Sequence, residues 1–361
     1  MKESNTQVIF KSRPEDFPSE DNFEIVSNAV PAVPEGQVLR KTIYLSVDPY
    51  MRGRMSTARS YAEPAKLGEP MVGSTISEVI ESKNPRYQSG DYVLGLDGWQ
   101  AYAVSEGKGL RKLDPAQAPI TTAVGVLGMP GLTAYVGLLD IGHPKEGETV
   151  VVSAAAGAVG SLAGQIAKIK GCRVVGTAGS DEKCAYVVND LGFDACINYK
   201  TADLKEALKA TCPKGIDIYF DNVGGPVLEA VLKRINVHAR IPLIGLISQY
   251  CDAKPRPGPN LGSVLATRAL IQGMIIFDHT DRMPDFLRDM SQWLREGKVR
   301  YREDIVQGLE NAPRAFIGLL QGENIGKRIV QVAPDPTRNM AQTLLSVPAQ
   351  AGVPVPHKEK R

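Results

Sequence analysis

The chain has 361 residues, of which 43% are hydrophobic and 23% are charged, and its 42 Lys and Arg residues nearly balance its 40 Asp and Glu residues. That length fits two globular domains, and the near-neutral charge argues against nucleic acid or an anionic membrane as a partner. The sequence predicts a cytoplasmic protein with free thiols. Its five cysteines lie outside any CxxC pair, it has no apolar run long enough to span a bilayer, and no apolar leader follows Met1.

Residues 1–127 have the pattern of a β-rich domain. Residues 37–45 are a strand candidate, and residues 72–80 alternate apolar and polar side chains, as a half-buried strand does. Residues 90–95 predict a turn that leads into a short strand. Glycine and proline interrupt these runs closely, which is typical of short strands joined by turns.

From residue 128 the pattern changes to alternating strands and helices, which predicts a parallel sheet with helices on both faces, the doubly wound α/β fold. Predicted strands and helices alternate at 148–154, 158–170, 172–177, 181–191, 195–199, 204–211, 216–221, 227–235 and 241–247, followed by a strand at 270–277 and a helix at 284–296. Residues 298–333 return to the first domain. The proline-containing segment 334–361 is expected to be a disordered tail.

A glycine loop opens the α/β series. The run Ala155-Ala156-Gly157-Ala158-Val159-Gly160 connects the predicted strand 148–154 to a helix and matches GxGxxG with alanine in the first position. Glycines let the backbone approach a pyrophosphate, and the helix N-terminus offers free N–H groups to it. The strand–turn–helix context favours a Rossmann dinucleotide site. The alternative is a structural turn in an unrelated α/β fold.

The end of the next predicted strand decides between NAD and NADP. An NAD site usually places Asp or Glu there, whereas this chain has Ala178, Gly179 and Ser180. Lys183, one turn into the following helix, is able to pair with a 2′-phosphate. The sequence therefore favours NADP(H), although Asp181 and Glu182 argue against it and Lys183 has the alternative of being a solvated helix residue.

The sequence lacks the metal ligands that a zinc-dependent alcohol dehydrogenase needs. No cysteine precedes Cys172 and no histidine precedes His143, whereas a catalytic zinc needs Cys and His ligands from the first domain. We therefore predict no metal site. Reduction of a C=C bond conjugated to a carbonyl fits, because hydride can reach the β-carbon while hydrogen-bond donors hold the enolate and a proton reaches the α-carbon.

Five longer runs of sequence carry a resemblance to a known family, and they are residues 45–55, 128–135, 164–168, 220–225 and 322–327. Across residues 7–333 the chain resembles the zinc-independent medium-chain dehydrogenase/reductases, in the branch of leukotriene B4 12-hydroxydehydrogenase, prostaglandin reductase, alkenal double-bond reductase and curcumin reductase. The resemblance implies a GroES-like catalytic domain at 1–127 and 298–333, an NADP-binding Rossmann domain at 128–297, and a homodimer.

The resemblance also implies roles for individual residues. Gly157, Ala158, Val159 and Gly160 would hold the pyrophosphate, and Lys183 and Tyr199 would contact the adenosine 2′-phosphate. Tyr50 and Tyr250 match tyrosines that lie beside the substrate. The rest of the cofactor would be lined by Asn222, Ile244, Gly245, Ser248, Tyr250, Met274, Ile275, Ile276 and Asn324.

The residues themselves leave some roles open. Tyr50 and Tyr250 can each donate an O–H to an enolate oxygen or supply the proton, but packing is the alternative for Tyr50 and a loop-anchoring role for Tyr250. Arg52 and Arg54 could attract phosphates or a substrate acid, or instead be solvated or paired with Asp48. The favoured function is NADPH-dependent reduction of apolar enones and enals. The alternatives are an NADPH quinone reductase and a non-catalytic, crystallin-like NADPH-binding protein.

Overall fold

The computed structural model describes residues 4–254 and 256–338, which form two domains. The N-terminal domain is built mainly of antiparallel strands and one short helix, α1, which spans Tyr50–Arg54. Its first seven strands are β1 Ser4–Phe10, β2 Phe23–Ala29, β3 Val38–Ser46, β4 Thr75–Ser82, β5 Tyr92–Gly95, β6 Tyr102–Ser105 and β7 Arg111–Leu113.

The second domain, here called the parallel-sheet domain, alternates strands and helices. Its elements are α2 Met129–Val136, β8 Thr149–Val152, α3 Gly160–Ile169, β9 Arg173–Ala178, α4 Asp181–Asn189, β10 Ala195–Asn198, α5 Leu204–Thr211, β11 Ile216–Phe220, α6 Gly225–Leu232, β12 Ile235–Leu243, α7 Gly262–Thr267, β13 Leu270–Gly273 and α8 Met283–Arg295. The chain then returns to the first domain through β14 Glu303–Gln307, α9 Ala312–Leu320 and β15 Lys327–Gln331.

The parallel sheet has the strand order β10, β9, β8, β11, β12, β13, and every neighbouring pair is parallel. The predicted α/β fold is therefore confirmed. Strand order reverses direction at β8, which is where open sheets of this kind bind nucleotides. The glycine loop follows β8, so it emerges at this point.

The N-terminal domain packs its core around Trp99, which is fully buried. The Trp99 ring stacks on Phe23 with centroids 5.3 Å apart, and Phe316 of α9 meets it edge-on at 6.0 Å. Strand β15 pairs antiparallel with β3. Residues after 298 therefore complete the sheet and core of the first domain, and they bring β15 beside the segment that carries α1.

The structure differs from the predicted strand at 241–247. Strand β12 ends at Leu243, where its pairing with β13 also ends. The amides of Ile244 and Gly245 instead donate to the carbonyl of Asp221, at 2.8 and 3.2 Å. These hydrogen bonds turn the chain out of the sheet, so residues 244–250 form a loop at its carboxyl edge.

The first residues of the expected disordered tail also differ from the prediction. Tyr44 donates a 3.0 Å hydrogen bond to Asp335, and Thr337 is buried. Residues 334–338 therefore pack against the N-terminal sheet, because a buried tyrosine hydroxyl gains a carboxylate partner there. The remainder of the predicted tail, 339–361, lies outside the described residues. Within the described part of the chain, no helix is both long and apolar enough to cross a membrane.

Candidate active site

The glycine loop is shaped by close backbone contacts. A Cβ added to Gly160 would lie 2.4 Å from the carbonyl oxygen of Ala154, and one added to Gly157 would lie 3.2 Å from the same oxygen. Ala154 itself has a φ of 49°, so the chain turns sharply after β8. Ala158 and Val159 lead from this turn into α3, whose first N–H groups point to the carboxyl edge of the sheet. The loop thus provides the cradle that a pyrophosphate needs.

A segment of the N-terminal domain closes over this loop. The amide of Gly326 donates a 2.7 Å hydrogen bond to the carbonyl of Ala156, and Gly157 and Gly326 form a parallel bridge. The Asn324 side chain is buried and donates to the carbonyl of Gly326 at 2.7 Å. Asn324 therefore fixes the backbone that joins the two domains at the glycine loop.

Three cations gather beyond the ends of β9 and β10. Ser180 caps α4 by accepting from the amide of Lys183. A Cβ added to Gly179 would lie 3.0 Å from the Tyr199 hydroxyl and 3.3 Å from Cε of Lys200. Burial, followed by the nearby Lys200 and Arg328 cations, lowers the pKa of Lys183. Mutual repulsion of this kind marks a place where an anion would be stabilised.

These cations fit a 2′-phosphate. The Lys183 ammonium donates to the carbonyl of Gly322, and Arg328 is already paired with Asp304 at 2.9 Å. Lys200 has no ion pair among the described residues. Of the acids of the neighbouring α4 helix, Asp181 accepts from Asn198 at 2.7 Å, and Glu182 offsets part of the lowering of the Lys183 pKa. Sequence reasoning missed Lys200, although its position directly after Tyr199 was available as a signal.

The loop after β11 is fixed by a buried carboxylate. One oxygen of Asp221 accepts hydrogen bonds from the Tyr219 hydroxyl at 2.8 Å, the Ser153 hydroxyl at 3.1 Å and the amides of Val223 and Gly224 at 2.9 Å. Burial raises the pKa of Asp221. The backbone amide of Asn222 donates to the Ser153 hydroxyl, and its side-chain amide donates to the Ser153 carbonyl at 2.7 Å. Asn222 is thus held against the end of β8.

The loop at 244–250 lies beside Asn222 and presents Tyr250. The Tyr250 hydroxyl accepts a 3.2 Å hydrogen bond from the amide of Leu246, and it lies 3.0 Å from the position of a Cβ added to Gly245. Its own O–H is free to donate, and burial raises its pKa. The Ser248 hydroxyl donates a 2.6 Å hydrogen bond to the carbonyl of Val223, so the side chain of Ser248 anchors the loop.

The residues after β13 form the wall behind this loop. The amide of Met274 donates to the carbonyl of Leu243 at 3.3 Å, and its side chain is buried in the core of the parallel-sheet domain. Ile244 and Ile276 pack on the same core and remain partly exposed, as does Ile275. These residues give the carboxyl edge of β12 and β13 an apolar surface.

The N-terminal domain contributes Tyr50 at the start of α1. Burial raises the pKa of Tyr50, and the Asp48 carboxylate raises it further, while Arg54 and a hydrogen bond with Ser74 lower it. Asp48 is itself paired with Lys327 at 2.8 Å, and both side chains are buried. The ammonium of Lys327 also donates to the carbonyl of Val47 at 2.8 Å. This ion pair ties β15 to the turn that carries Tyr50.

Tyr61 joins the site from the loop that follows α1. Its pKa is raised by burial and by the nearby Tyr250, and Arg54 lowers it. Tyr61 therefore lies near Tyr250 of the other domain, while Tyr50 lies near Tyr61. Tyr61, which sequence reasoning missed, is thus near both predicted tyrosines.

The predicted residues fall into two regions along the carboxyl edge of the parallel sheet. The glycine loop and the Lys183–Tyr199 region lie at β8 to β10, whereas Asn222, the 244–250 loop and residues 274–276 lie at β11 to β13. Within the described part of the chain, no group of three or more His, Cys, Asp or Glu side chains is arranged to hold a metal ion.

The chain is similar to known proteins over both of its domains. One family model, described as the N-terminal domain of oxidoreductase, matches residues 6–113, and another, described as zinc-binding dehydrogenase, matches residues 158–292. The NADPH-dependent curcumin reductase of Escherichia coli (strain K12) is 52% identical over 342 residues, which covers 93% of this chain and 99% of that protein. Prostaglandin reductase 1 of Rattus norvegicus is 46% identical over 323 residues, covering 88% of this chain and 96% of that protein.

The chain belongs to this family of medium-chain dehydrogenase/reductases. A further member, the NADP(+)-dependent 2-alkenal reductase of Nicotiana tabacum, is 44% identical over 336 residues, covering 91% of this chain and 98% of that protein. The crystal structure of CurA in complex with NADPH from Vibrio vulnificus has a TM-score of 0.88 and 50% identity, covering 91% of this chain and 100% of that one. The family resemblance seen in the sequence is therefore confirmed.

Proposed function

We propose that this protein uses NADPH to reduce the C=C bond of α,β-unsaturated ketones and aldehydes. The observation that carries the proposal is that Tyr61 of the N-terminal domain lies near Tyr50 and also near Tyr250 of the parallel-sheet domain, so that the loop after α1 approaches the loop at 244–250. The names of the relatives, which are curcumin, prostaglandin and 2-alkenal reductases, support the same reaction.

The residues present fit NADPH. Gly157 and Gly160 leave the space that a pyrophosphate requires, because a side chain at Gly160 would collide with the backbone. Lys183 and Lys200 provide cations for the 2′-phosphate, and Tyr199 lies beside them. The remaining cofactor contacts in this proposal are the backbone and side chains of Ala158, Val159, Asn222, Ile244, Gly245, Ser248, Met274, Ile275, Ile276 and Asn324.

In the proposed mechanism, bound NADPH supplies the hydride that reaches the β-carbon. Tyr50 is protonated at neutral pH, as an ordinary tyrosine is, and burial raises its pKa further. Its O–H therefore donates to the carbonyl oxygen, on which negative charge develops as the β-carbon is reduced. Arg54 and Ser74 offset part of the rise in the Tyr50 pKa that burial causes. They therefore make the Tyr50 O–H a better donor to the carbonyl oxygen.

Tyr250 is the second donor in this proposal. The backbone amide of Leu246 donates a hydrogen bond to the Tyr250 oxygen. In this proposal the Tyr250 O–H donates to the substrate. In this proposal the fixed loop holds Tyr250 for transfer of a proton to the α-carbon. The apolar residues after β13 shield the reacting atoms from water, and they favour a medium-sized apolar enone.

The proposal extends to assembly and location. Strand β13 is at the edge of the parallel sheet, and the apolar side chains Leu261, Leu265 and Leu270 are exposed around it, with Leu265 82% exposed. A second copy pairing at this edge would cover them. We therefore propose a cytoplasmic homodimer, with the domain limits given above, namely 1–127 with 298–333 and 128–297. Sedimentation of the wild type and of Leu270→Arg tests the dimer: a monomeric wild type would contradict it.

NADPH oxidation with a small enone panel, a quinone and an NADH control tests the reaction. We expect turnover of enones with NADPH preferred over NADH. Tyr50→Phe should lower kcat for enones with little change in NADPH affinity, since it removes only the O–H; Tyr92→Phe, in the N-terminal sheet, is the matched control. Turnover of the quinone alone would point to the quinone reductase alternative. NADPH binding without any turnover would point to the non-catalytic binding protein.

A further inference from the structure

Arg13 holds together the two ends of the loop that follows α1. Its guanidinium donates to the carbonyl of Met55 at 2.9 Å and to the carbonyl of Ala65 at 2.8 Å. The amide of Ala65 also donates to the carbonyl of Arg54 at 2.7 Å. Residues 56–64 therefore form a loop whose two ends lie side by side, and we call it the 56–64 loop.

Arg13 is itself fixed to the core of the N-terminal domain. Its guanidinium lies over the ring of Phe10, 5.4 Å from the ring centroid, and Phe10 is fully buried. Pro14 follows Arg13 and disfavours a helical backbone there. The amide of Lys11 donates to the carbonyl of Asn22 at 2.8 Å, which ties this segment to the chain before β2. Arg13 therefore connects the N-terminal core to the base of the 56–64 loop.

The 56–64 loop buries few side chains of its own. Residues 57–61 are exposed. Within the loop, the amide of Ala58 donates to the hydroxyl of Ser56 at 3.1 Å. Because exposed side chains contribute little packing, the position of the loop is set mainly at its two ends. Arg13 is the side chain that joins those ends.

The loop carries Tyr61 to the proposed substrate site. Tyr61 is 53% exposed, and it lies near Tyr50 of its own domain and near Tyr250 of the parallel-sheet domain. An aromatic ring at this place offers a large contact area to an enone that extends beyond its C=C bond. The room left for such a substrate therefore depends on how the base of the loop is held.

We propose that Arg13 is a positioning residue for bulky substrates, because by holding the 56–64 loop closed it keeps Tyr61 against the part of the enone remote from the C=C bond. This inference rests on the proposed enone reduction. A planar guanidinium can donate to two carbonyls at once, whereas a lysine ammonium is a point charge on a flexible stem. A small enone does not extend to Tyr61, so its turnover should not depend on Arg13.

The test compares pent-3-en-2-one with 4-phenylbut-3-en-2-one, which has a phenyl ring in place of a methyl group on the same enone. The measured quantity is the ratio of kcat/KM for the phenyl enone to kcat/KM for the methyl enone. We expect Arg13→Met to lower this ratio about tenfold, as loss of hydrogen bonds from a charged donor does. The fall should come from a higher KM for the phenyl enone, while kcat for both stays within about twofold of the wild type. Arg13→Lys should keep part of the ratio.

Arg86→Met is the matched control. Arg86 also donates to a backbone carbonyl, that of Glu106 at 3.3 Å, and it also lies over an aromatic ring, that of Tyr87 at 5.7 Å from the centroid. It belongs to the turn between β4 and β5, so its loss should leave the ratio unchanged. Tyr61→Ala should lower the ratio as Arg13→Met does. The double variant should fall little further, because both residues act through one contact.

Three outcomes would overturn the inference. They are an unchanged ratio in Arg13→Met, an equal fall in Arg86→Met, and additive effects of Arg13→Met and Tyr61→Ala. If Arg13→Met does not fold, Arg13→Lys takes its place in the same double-variant comparison and is judged by the same outcomes.

Trypsin cleavage after Arg59, which is exposed in the loop, tests the hold on the loop without any turnover. Faster cleavage there in Arg13→Lys than in the wild type and in Arg86→Met supports the inference, and equal rates refute it. This measurement separates the inference from the proposed reaction. If no enone is reduced, the proposed function fails, while the cleavage rates still show whether Arg13 holds the loop closed.

Discussion

Removing the Lys183 cation should selectively weaken the binding of NADPH. This ammonium donates to the carbonyl of Gly322, and its pKa is lowered by burial and by the neighbouring cations Lys200 and Arg328. A bound 2′-phosphate would relieve that repulsion. The variant Lys183→Ala removes the cation while keeping the helix, since alanine is a strong helix former.

The expected change in the Kd for NADPH depends on how far each lysine side chain is buried. A hydrogen bond to a charged group contributes about 1.5–3 kcal/mol, and the lost hydrogen bond to Gly322 offsets about 1 kcal/mol of it. A net loss of about 1.5 kcal/mol corresponds to roughly a tenfold higher Kd for NADPH. Lys200 is exposed, so Lys200→Ala should raise the Kd by only about two- to fivefold.

Fluorescence titration with NADPH and NADH measures both constants for each variant. NADH lacks the 2′-phosphate, so its Kd should stay within about twofold of the wild type. Lys205→Ala removes an exposed charge from α5, away from the site, and controls for net charge. The reasoning is refuted if Lys183→Ala leaves the NADPH affinity within about threefold of the wild type, or if NADH affinity falls by the same factor.

Three further predictions follow from the same contacts. Gly160→Ala places a Cβ 2.4 Å from a backbone oxygen and should destabilise the protein by about 1–3 kcal/mol, whereas Gly258→Ala, with open space around it, should not; urea unfolding measures both. Because the pKa of Lys183 is lowered, its cation is present at low pH and is lost at a lower pH than the cation of an ordinary lysine. NADPH affinity should therefore decrease as the pH rises through that range, whereas NADH affinity over the same range should stay constant. Lys327→Met leaves Asp48 buried without its partner and should cost about 3–5 kcal/mol, part of which the double variant with Asp48→Asn should recover in the same unfolding assay.

The sequence predicted the parallel-sheet domain well because its signals are local. Strand β8, the glycine loop and helix α3 follow one another directly, and a Cβ at Gly164 would lie 1.8 Å from the ring of Phe193. Close packing of this kind needs glycine and leaves a pattern in the sequence. The strand predicted at 241–247 was wrong over its second half because hydrogen bonds to Asp221, distant in sequence, draw residues 244 and 245 out of the sheet.

The site was harder to predict because its parts come from both domains. Tyr61 lies near Tyr250 only in the folded chain, and it carries no motif that marks it. The partner of Asp48 could not be read from nearby residues, because Lys327 lies 279 residues away. Arg54 was considered as a partner of Asp48, and the structure gives that place to Lys327.

Two buried carboxylates hold the segments that carry Tyr50 and Asn222. Asp48 lies two residues before Tyr50, and Asp221 lies one residue before Asn222. Asp48 is held by Lys327 and Ser46. One oxygen of Asp221 accepts from four donors, while its other oxygen is buried without a hydrogen-bond partner among the described residues. Because breaking such a network leaves a buried charge without a partner, the loops that follow each carboxylate are held rigidly. In the proposed mechanism, Tyr50 and Asn222 are therefore positioned before any substrate binds, which is what electrostatic stabilisation of an enolate requires.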